Sequence, residues 1–323
     1  MQMLRILSGC AFGAALLTST ARVSAADPAP APSGSALPEI GRVTTSDRRS
    51  EPIDRTARPT FVIDRARLDA TGARTVSDAL RSIPGVAIYS FGPFGSQSDY
   101  GIRGTNSAQT LVLLDGVPIA NVSSGTIDLG TFPLVNVSRI EVVESGSSTL
   151  YGTSAIGGVI NIITGARRGA EVLLSAGSFG DDDVRLGAGD GKIGVAFERH
   201  VATNAFAYPM LRYGTVTFPA ATRTNSWATQ TALRFTALES FGSGFSVRAD
   251  LGGDATRSAV PGRLDFPSPR ALQSVARNNA LLEVTKTFSN SALSLTLSGA
   301  RSALSYSDPD SGGETNTYDA RTQ

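Results

Sequence analysis

Cysteine, histidine and tryptophan each occur once in 323 residues. The lone cysteine, Cys10, lies in a segment read below as removable, so neither a disulfide nor a thiolate metal site is expected. A chain without cysteine suits an oxidising compartment. A single histidine, His200, excludes multi-histidine metal sites. No constellation for catalysis is legible around it or elsewhere, and Gly146-Ser147-Ser148 lacks the Lys-Ser/Thr that a phosphate loop needs. An enzyme is therefore not expected, nor a cofactor or a resident metal. With 29 basic and 28 acidic residues there is no basic excess to argue for nucleic acid. No run approaches the roughly eighteen consecutive apolar residues of a spanning helix, so a membrane could be crossed only by strands.

The N-terminus carries Arg5, a short apolar run from Cys10 to Leu17, and Val23-Ser24-Ala25 before a cleavage point near Ala25 or Ala26. Residues 1–25 are expected to be a secretory signal peptide. Leu7-Ser8-Gly9-Cys10 is not a lipoprotein box, because the apolar run follows the cysteine. Residues 26–59 read as a flexible arm. Its start, Asp27-Pro28-Ala29-Pro30-Ala31-Pro32, cannot donate a regular backbone ladder and buries almost nothing. One β-prone piece, Glu39-Ile40-Gly41-Arg42-Val43-Thr44-Thr45, is either a strand for addition to a partner's sheet edge or a linker with chance β residues.

Residues 60–168 show a compact mixed α/β pattern. Strands are expected at Thr60–Ile63, Val86–Tyr89, Thr110–Leu114, Arg139–Glu144 and Val159–Thr164, and a helix over Thr75–Ile83, stopped by Pro84-Gly85. Asp115-Gly116 predicts a tight turn into Val117-Pro118-Ile119. From Gly169 onward the pattern alternates with period two. Phe245, Val247, Ala249 and Leu251 oppose Ser246, Arg248 and Asp250, and Leu293, Leu295 and Leu297 oppose Ser294, Thr296 and Ser298. Ile193, Val195 and Phe197 oppose Gly194, Ala196 and Glu198 in the same way. Short turns at Gly189–Gly191, Gly242-Ser243 and Ser289-Asn290 alternate with long connections, Ala202–Asn225, Thr256–Val275 and Ser305–Thr315. Short and long links in alternation, with runs of about ten residues, are the pattern of an outer-membrane barrel. A secreted β-sandwich or β-helix is the other reading that the pattern allows. Trp227, Phe241, Tyr306 and Tyr318 near strand ends fit interfacial aromatic belts.

The motifs between Ile102 and Thr164 go further. They run Ile102-Arg103-Gly104, Leu114-Asp115-Gly116-Val117-Pro118, Arg139-Ile140-Glu141-Val142-Val143, and Leu150-Tyr151-Gly152 through Ala155-Ile156-Gly157-Gly158-Val159-Ile160-Asn161 to Thr164. Together with Ser82-Ile83-Pro84-Gly85-Val86 they resemble the plug of TonB-dependent outer-membrane receptors over about 105 residues in order. The fold expected is an α+β plug domain followed by an antiparallel transmembrane β-barrel in residues 169–323, incomplete, with about eight strands present.

The resemblance implies residue roles. Glu39 to Thr45 would be the TonB box, which pairs as a strand with the energy-coupling protein TonB of the TonB–ExbB–ExbD system. Ser90, Phe91, Gln97 and Asp99, with Asn121, Ser123 and Ser124, would be plug loops that touch substrate. Arg103 and Arg139, with Glu141 and Glu144 beside them, would dock the plug to the barrel wall. Asp128-Leu129-Gly130-Thr131-Phe132-Pro133 followed by Val137-Ser138-Arg139 resembles the vitamin B12 (cobalamin) branch. That branch often holds calcium on an aspartate cluster in early barrel loops, yet Ala202–Asn225 has no Asp or Glu. Asp181-Asp182-Asp183 is expected at a turn, in solvent. Cobalamin is therefore the first ligand implied and a ferric siderophore the second. A non-transporting exported binding protein or inactive fragment is the reading from another class. Outer-membrane lipid would be the surrounding medium. A receptor of this family has about twenty-two strands, so the chain is expected to be the front portion of a longer protein.

Overall fold

The computed structural model describes residues 42–43, 51–52, 58–119, 125–144, 155–209, 220–262, 267–288, 291–310 and 315–322. The expected signal peptide, along with Glu39, Ile40, Gly41, Thr44 and Thr45, lies outside them. Within the arm, Arg42–Val43 (β1) pairs antiparallel with Glu51–Pro52 (β2).

The mixed α/β region is built on a five-stranded sheet. Its strands are Thr60–Asp64 (β3), Thr110–Leu114 (β6), Val117–Pro118 (β7), Val137–Val143 (β8) and Gly158–Thr164 (β9). The order is β3-β8-β9-β6-β7, with β6 parallel to β9 and the other pairs antiparallel. All seven residues of β9 are buried, as suits a mostly apolar strand covered on both faces. Val86–Ser90 (β4) and Ser98–Ile102 (β5) form a separate antiparallel pair. Two short helices pack beside the sheet. Arg65–Thr71 (α1) starts on Asp64, whose side chain accepts from Arg67 N, and ends at Gly72 with φ 62°. Val76–Leu80 (α2) starts with a capping box between Thr75 and Asp78. The second helix is shorter than the expected 75–83, because Arg81 already caps it two residues before Ile83. Ile63, Leu68, Leu80, Ile102, Leu129, Ile140, Ile160 and Ile162 share one apolar core. Each such side chain fully removed from water contributes about 1.5–3 kcal/mol.

The remaining strands form an eight-stranded antiparallel sheet. It comprises Arg168–Gly177 (β10), Asp181–Asp190 (β11), Ile193–Ala202 (β12), Ala228–Phe241 (β15), Phe245–Ala259 (β16), Leu272–Thr287 (β17), Ala292–Ser307 (β18) and Thr315–Thr322 (β19). Neighbours in sequence are neighbours in the sheet, and β10 and β19 are its two edges, so the barrel is not closed. Ala207–Pro209 (β13) and Ala220–Thr222 (β14) make a small hairpin inside the connection between β12 and β15. The next connection is shorter than the expected 256–275, because β16 runs on to Ala259 and β17 starts at Leu272.

Alternation sets the apolar side of β12, β15, β16 and β18 outward. Leu293, Leu295 and Leu297 are 69%, 64% and 61% exposed, and Val195, Leu233, Phe235 and Leu251 face the same way. Gln230, Arg234, Thr236 and Asp250 on the other side are buried against the plug. That inversion suits a lipid-covered wall around a polar lumen. The three aspartates expected at a turn instead open β11. Asp183 is 3% exposed and pairs with Arg185 at 3.0 Å, and Asp181 is bound to His200 and Arg74. Asp181 and Asp183 point inward because the strand's odd positions face the plug, while Asp182 between them is exposed.

Candidate functional site

The plug meets the wall along a seam of hydrogen bonds. Asp115 and Gly116 make the turn between β6 and β7 with φ of 51° and 82°, the left-handed pair of a tight hairpin turn. That geometry aims the Asp115 carboxylate outward. Its Oδ1 accepts from Thr164 N at 2.9 Å and from Arg248 Nη2 at 2.5 Å. Thr164 Oγ1 lies 2.8 Å from both Asp115 Oδ2 and Asp250 Oδ2. Asp250 also holds Arg234 at 2.5 Å and Thr236 Oγ1 at 2.7 Å, and Asn136 Nδ2 donates to Thr236 Oγ1 at 2.8 Å. Further along, Gln230 Nε2 donates to Thr131 O at 2.7 Å, and Arg277 reaches the same carbonyl. Arg74 at the start of α2 pairs with Asp181 on β11. Buried charge of this kind persists only when paired, and each of these is.

Beside Thr131 the seam opens into a cavity of about 410 Å³. Phe91, Gln97, Asp99, Asp128 and Phe132 line it from the plug, and Asp254, Gln273, Arg277, Asn278, Asn279 and Arg301 from the wall. The plug residues come from the loop between β4 and β5, from the start of β5, and from the turn that Asp128 opens. The wall residues stand toward the ends of β16, β17 and β18 that carry the long connections. Arg277 pairs with Asp254 at 2.7 Å and lies 5.1 Å above the Phe132 ring. Asp128 Oδ1 accepts from Ser98 N, Ser98 Oγ and Gly130 N at 3.1, 2.8 and 2.9 Å. Its Oδ2 is buried with no partner among the described residues. Burial pushes the Asp128 carboxyl above the usual aspartate range; the Ser98 and Gly130 bonds pull the other way and lose. The cavity is therefore a balanced, amide- and hydroxyl-rich recess with two aromatic rings, suited to hydrogen bonding and stacking rather than to gripping strong charge.

Of the expected loop residues, Phe91, Gln97 and Asp99 come together on this cavity. Ser90 turns under the loop, where its Oγ donates to Gly92 O at 2.7 Å. Asn121, Ser123 and Ser124 lie outside the described residues. Arg103 pairs with Glu144 at 2.9 Å and Arg139 with Glu141 at 2.8 Å, so these four meet as two ion pairs inside the plug. The contacts to the described wall include those of Arg74, Asp115, Thr131, Asn136 and Thr164, to none of which sequence reading gave a docking role. The hairpin signal at Asp115-Gly116 was visible, but its wall partner Arg248 stands 133 positions away, and no local pattern links them.

Comparison with known proteins agrees with this architecture. The model of the TonB-dependent Receptor Plug Domain matches residues 52–159. Residues 52–159 thus form a domain of the TonB-dependent receptor plug family. The vitamin B12 transporter BtuB of Photobacterium profundum is 36% identical over 146 residues, 45% of this chain and 24% of that protein. The BtuB protein of Vibrio cholerae is 37% identical over 157 residues, 48% of this chain and 26% of that protein. This chain thus spans about a quarter of the length of the curated relatives it matches. Among solved structures, the siderophore receptor PiuA of Acinetobacter baumannii superposes with a TM-score of 0.60 at 17% identity, covering 79% of this chain and 38% of that one. The ferric yersiniabactin uptake receptor FyuA of Yersinia pestis gives 0.58 at 17% identity, covering 85% and 45%. Identity that low speaks for the fold alone. A domain of the plug family therefore docks here on an eight-stranded antiparallel sheet that shares the fold of those receptors' barrel walls. The relatives are transporters and receptors, not enzymes.

Proposed function

We propose that this chain is the front portion of a TonB-dependent receptor for active uptake of cobalamin across the outer membrane. The observation that carries the ligand is the plug–wall cavity, with its amide and hydroxyl lining. Gln97, Gln273, Asn278 and Asn279 offer paired donors and acceptors, and the three aspartates of the lining, Asp99, Asp128 and Asp254, stand with two arginines, Arg277 and Arg301. Cobalamin is neutral overall and fringed with carboxamides, which such a surface hydrogen-bonds without a charge penalty. A ferric catecholate carries strong net negative charge, which two arginines set among three aspartates do not match. The likeness to cobalamin transporters over the plug supports the same choice. Ferric siderophores are the second reading. The cavity takes only an edge of so large a molecule, and the rest of the contact would come from the surface connections.

In this reading the segment Glu39–Thr45 adds as a strand to TonB, whose pull on the arm draws on the inner-membrane energy-coupling system. Arg103 and Arg139, beside Glu144 and Glu141, serve the docking of plug to barrel. The deciding experiment titrates the full-length protein in detergent with cyanocobalamin and, in parallel, with ferric siderophores. Binding of cyanocobalamin below micromolar concentration, weakened by Gln97→Ala and Asn279→Ala, is the expected result. Siderophore binding with no cobalamin binding at micromolar levels would replace the first reading with the second.

A further inference from the structure

The plug loop that faces the cavity has a second side. Phe91 N donates to Gln97 O at 3.1 Å, which closes the loop and sets those two residues on the cavity. The tip between them turns the other way, with Phe94 and Gly95 packed on the wall and Pro93 exposed. There the Phe94 ring stacks on His200 with centroids 3.8 Å apart and planes at 29°. His200 is 0% exposed, and its Nε2 lies 2.6 Å from Asp181 Oδ1. Asp181 in turn binds Arg74 of the plug. Phe94 O accepts from Asn204 Nδ2 at 2.9 Å. Gly95 lies so close to β15 that a Cβ there would meet Ala228 Cβ at 2.3 Å.

The same asparagine clamps the neck of the surface connection 203–227. Asn204 Nδ2 also donates to Ser226 O at 2.8 Å, and Ser226 Oγ donates back to Asn204 O at 3.0 Å. Asn204 sits at φ 51°, a left-handed value that asparagine tolerates better than most residues and that turns its amide toward both carbonyls. The loop tip and the neck thus share one hydrogen-bonding group. His200, the base of the socket, touches neither the cavity nor any exposed surface.

We propose that His200 is a positioning residue for the ligand site: the socket of His200, Asn204 and Ala228 seats Phe94-Gly95, and so holds Phe91 and Gln97 in register and couples the plug loop to the neck of the connection 203–227. The proposal rests on the cavity being the ligand site, and its test separates the two.

The test follows amide hydrogen exchange in the full-length receptor for four hydrogen-bonded probes, Phe91, Ser96, Thr203 and Asn204. The variants are His200→Ala, Phe94→Ala and His200→Phe, the last keeping a ring under Phe94. Either alanine variant is expected to lose protection at all four amides together, and His200→Phe to retain it. Cyanocobalamin affinity should fall about threefold to tenfold in either alanine variant, the worth of one aromatic pair. The double variant should be no worse than either single, the signature of residues acting as one unit. Unchanged exchange in His200→Ala, or losses confined to the loop while the neck stays protected, overturns the socket. Additive affinity losses overturn it too. If the unaltered protein binds no cyanocobalamin, the substrate reading fails, and the exchange experiment alone decides the socket.

Discussion

The plug and the wall follow opposite rules for what is buried. In the plug, β9 hides Val159, Ile160, Ile162 and Ile163, and the buried carboxylates Glu141 and Glu144 are each covered by an arginine of the plug itself. In the wall, β18 exposes three leucines while β15 and β16 bury Arg234 and Asp250. One chain thus carries two solvents' worth of patterning. The plug is stable because its apolar atoms leave water. The wall is stable only if its outer face meets lipid and its inner charges meet one another.

That contrast can be broken at its strongest point first. Asp250→Ala leaves the buried Arg234 guanidinium without its carboxylate and frees Thr236 and Thr164. A loss of about 3–5 kcal/mol in the guanidinium unfolding of the full-length protein is expected. In the plug the equivalent injury is a cavity: Ile160→Ala should cost about 2–5 kcal/mol by the same measurement. The sharpest discriminator of lipid from water is Leu295→Arg. On a lipid-facing strand it should cost about 2–4 kcal/mol on refolding into bilayers. On the outside of a water-soluble sheet it would be near neutral, and that result would end the barrel reading.

The smallest effect concerns pH. The Asp128 carboxyl titrates above its unfolded value, so the folded state holds its proton longer. Its contribution to stability is full below about pH 4 and is lost as pH rises through the folded value. Asp128→Asn keeps an acceptor for Ser98 and Gly130 and should flatten this slope. Comparison of unfolding midpoints at pH 4 and pH 7 checks it, and an unaltered slope would remove the assigned cause.

The period-two strands were legible because alternation survives any register: knowing which side of Leu293–Leu297 is apolar does not require knowing its neighbour. The tight turn at Asp115-Gly116 was legible for a similar local reason. Helix α1 was not, since Arg65–Thr71 buries only Leu68 and shows no apolar face. The seam and socket were not legible either. Asn136 with Thr236, Gln230 with Thr131 and Phe94 with His200 lie about a hundred positions apart, and which inward side chain meets which plug residue depends on strand stagger. His200 read as an absence of chemistry, because a single histidine says nothing until a ring is found lying on it.

The joint between Asp115, Thr164 and Arg248 holds by groups that water can imitate. Each bond lost there on sliding can be replaced by one to a solvent molecule, at a net cost of about 0.5–1.5 kcal/mol, rising to about 3 where a charge takes part. An oily joint of equal area would resist withdrawal in proportion to every square ångström laid bare. This stopper is fastened like a row of press studs: firm against drift, yet ready to come undone stud by stud under a modest, directed tug.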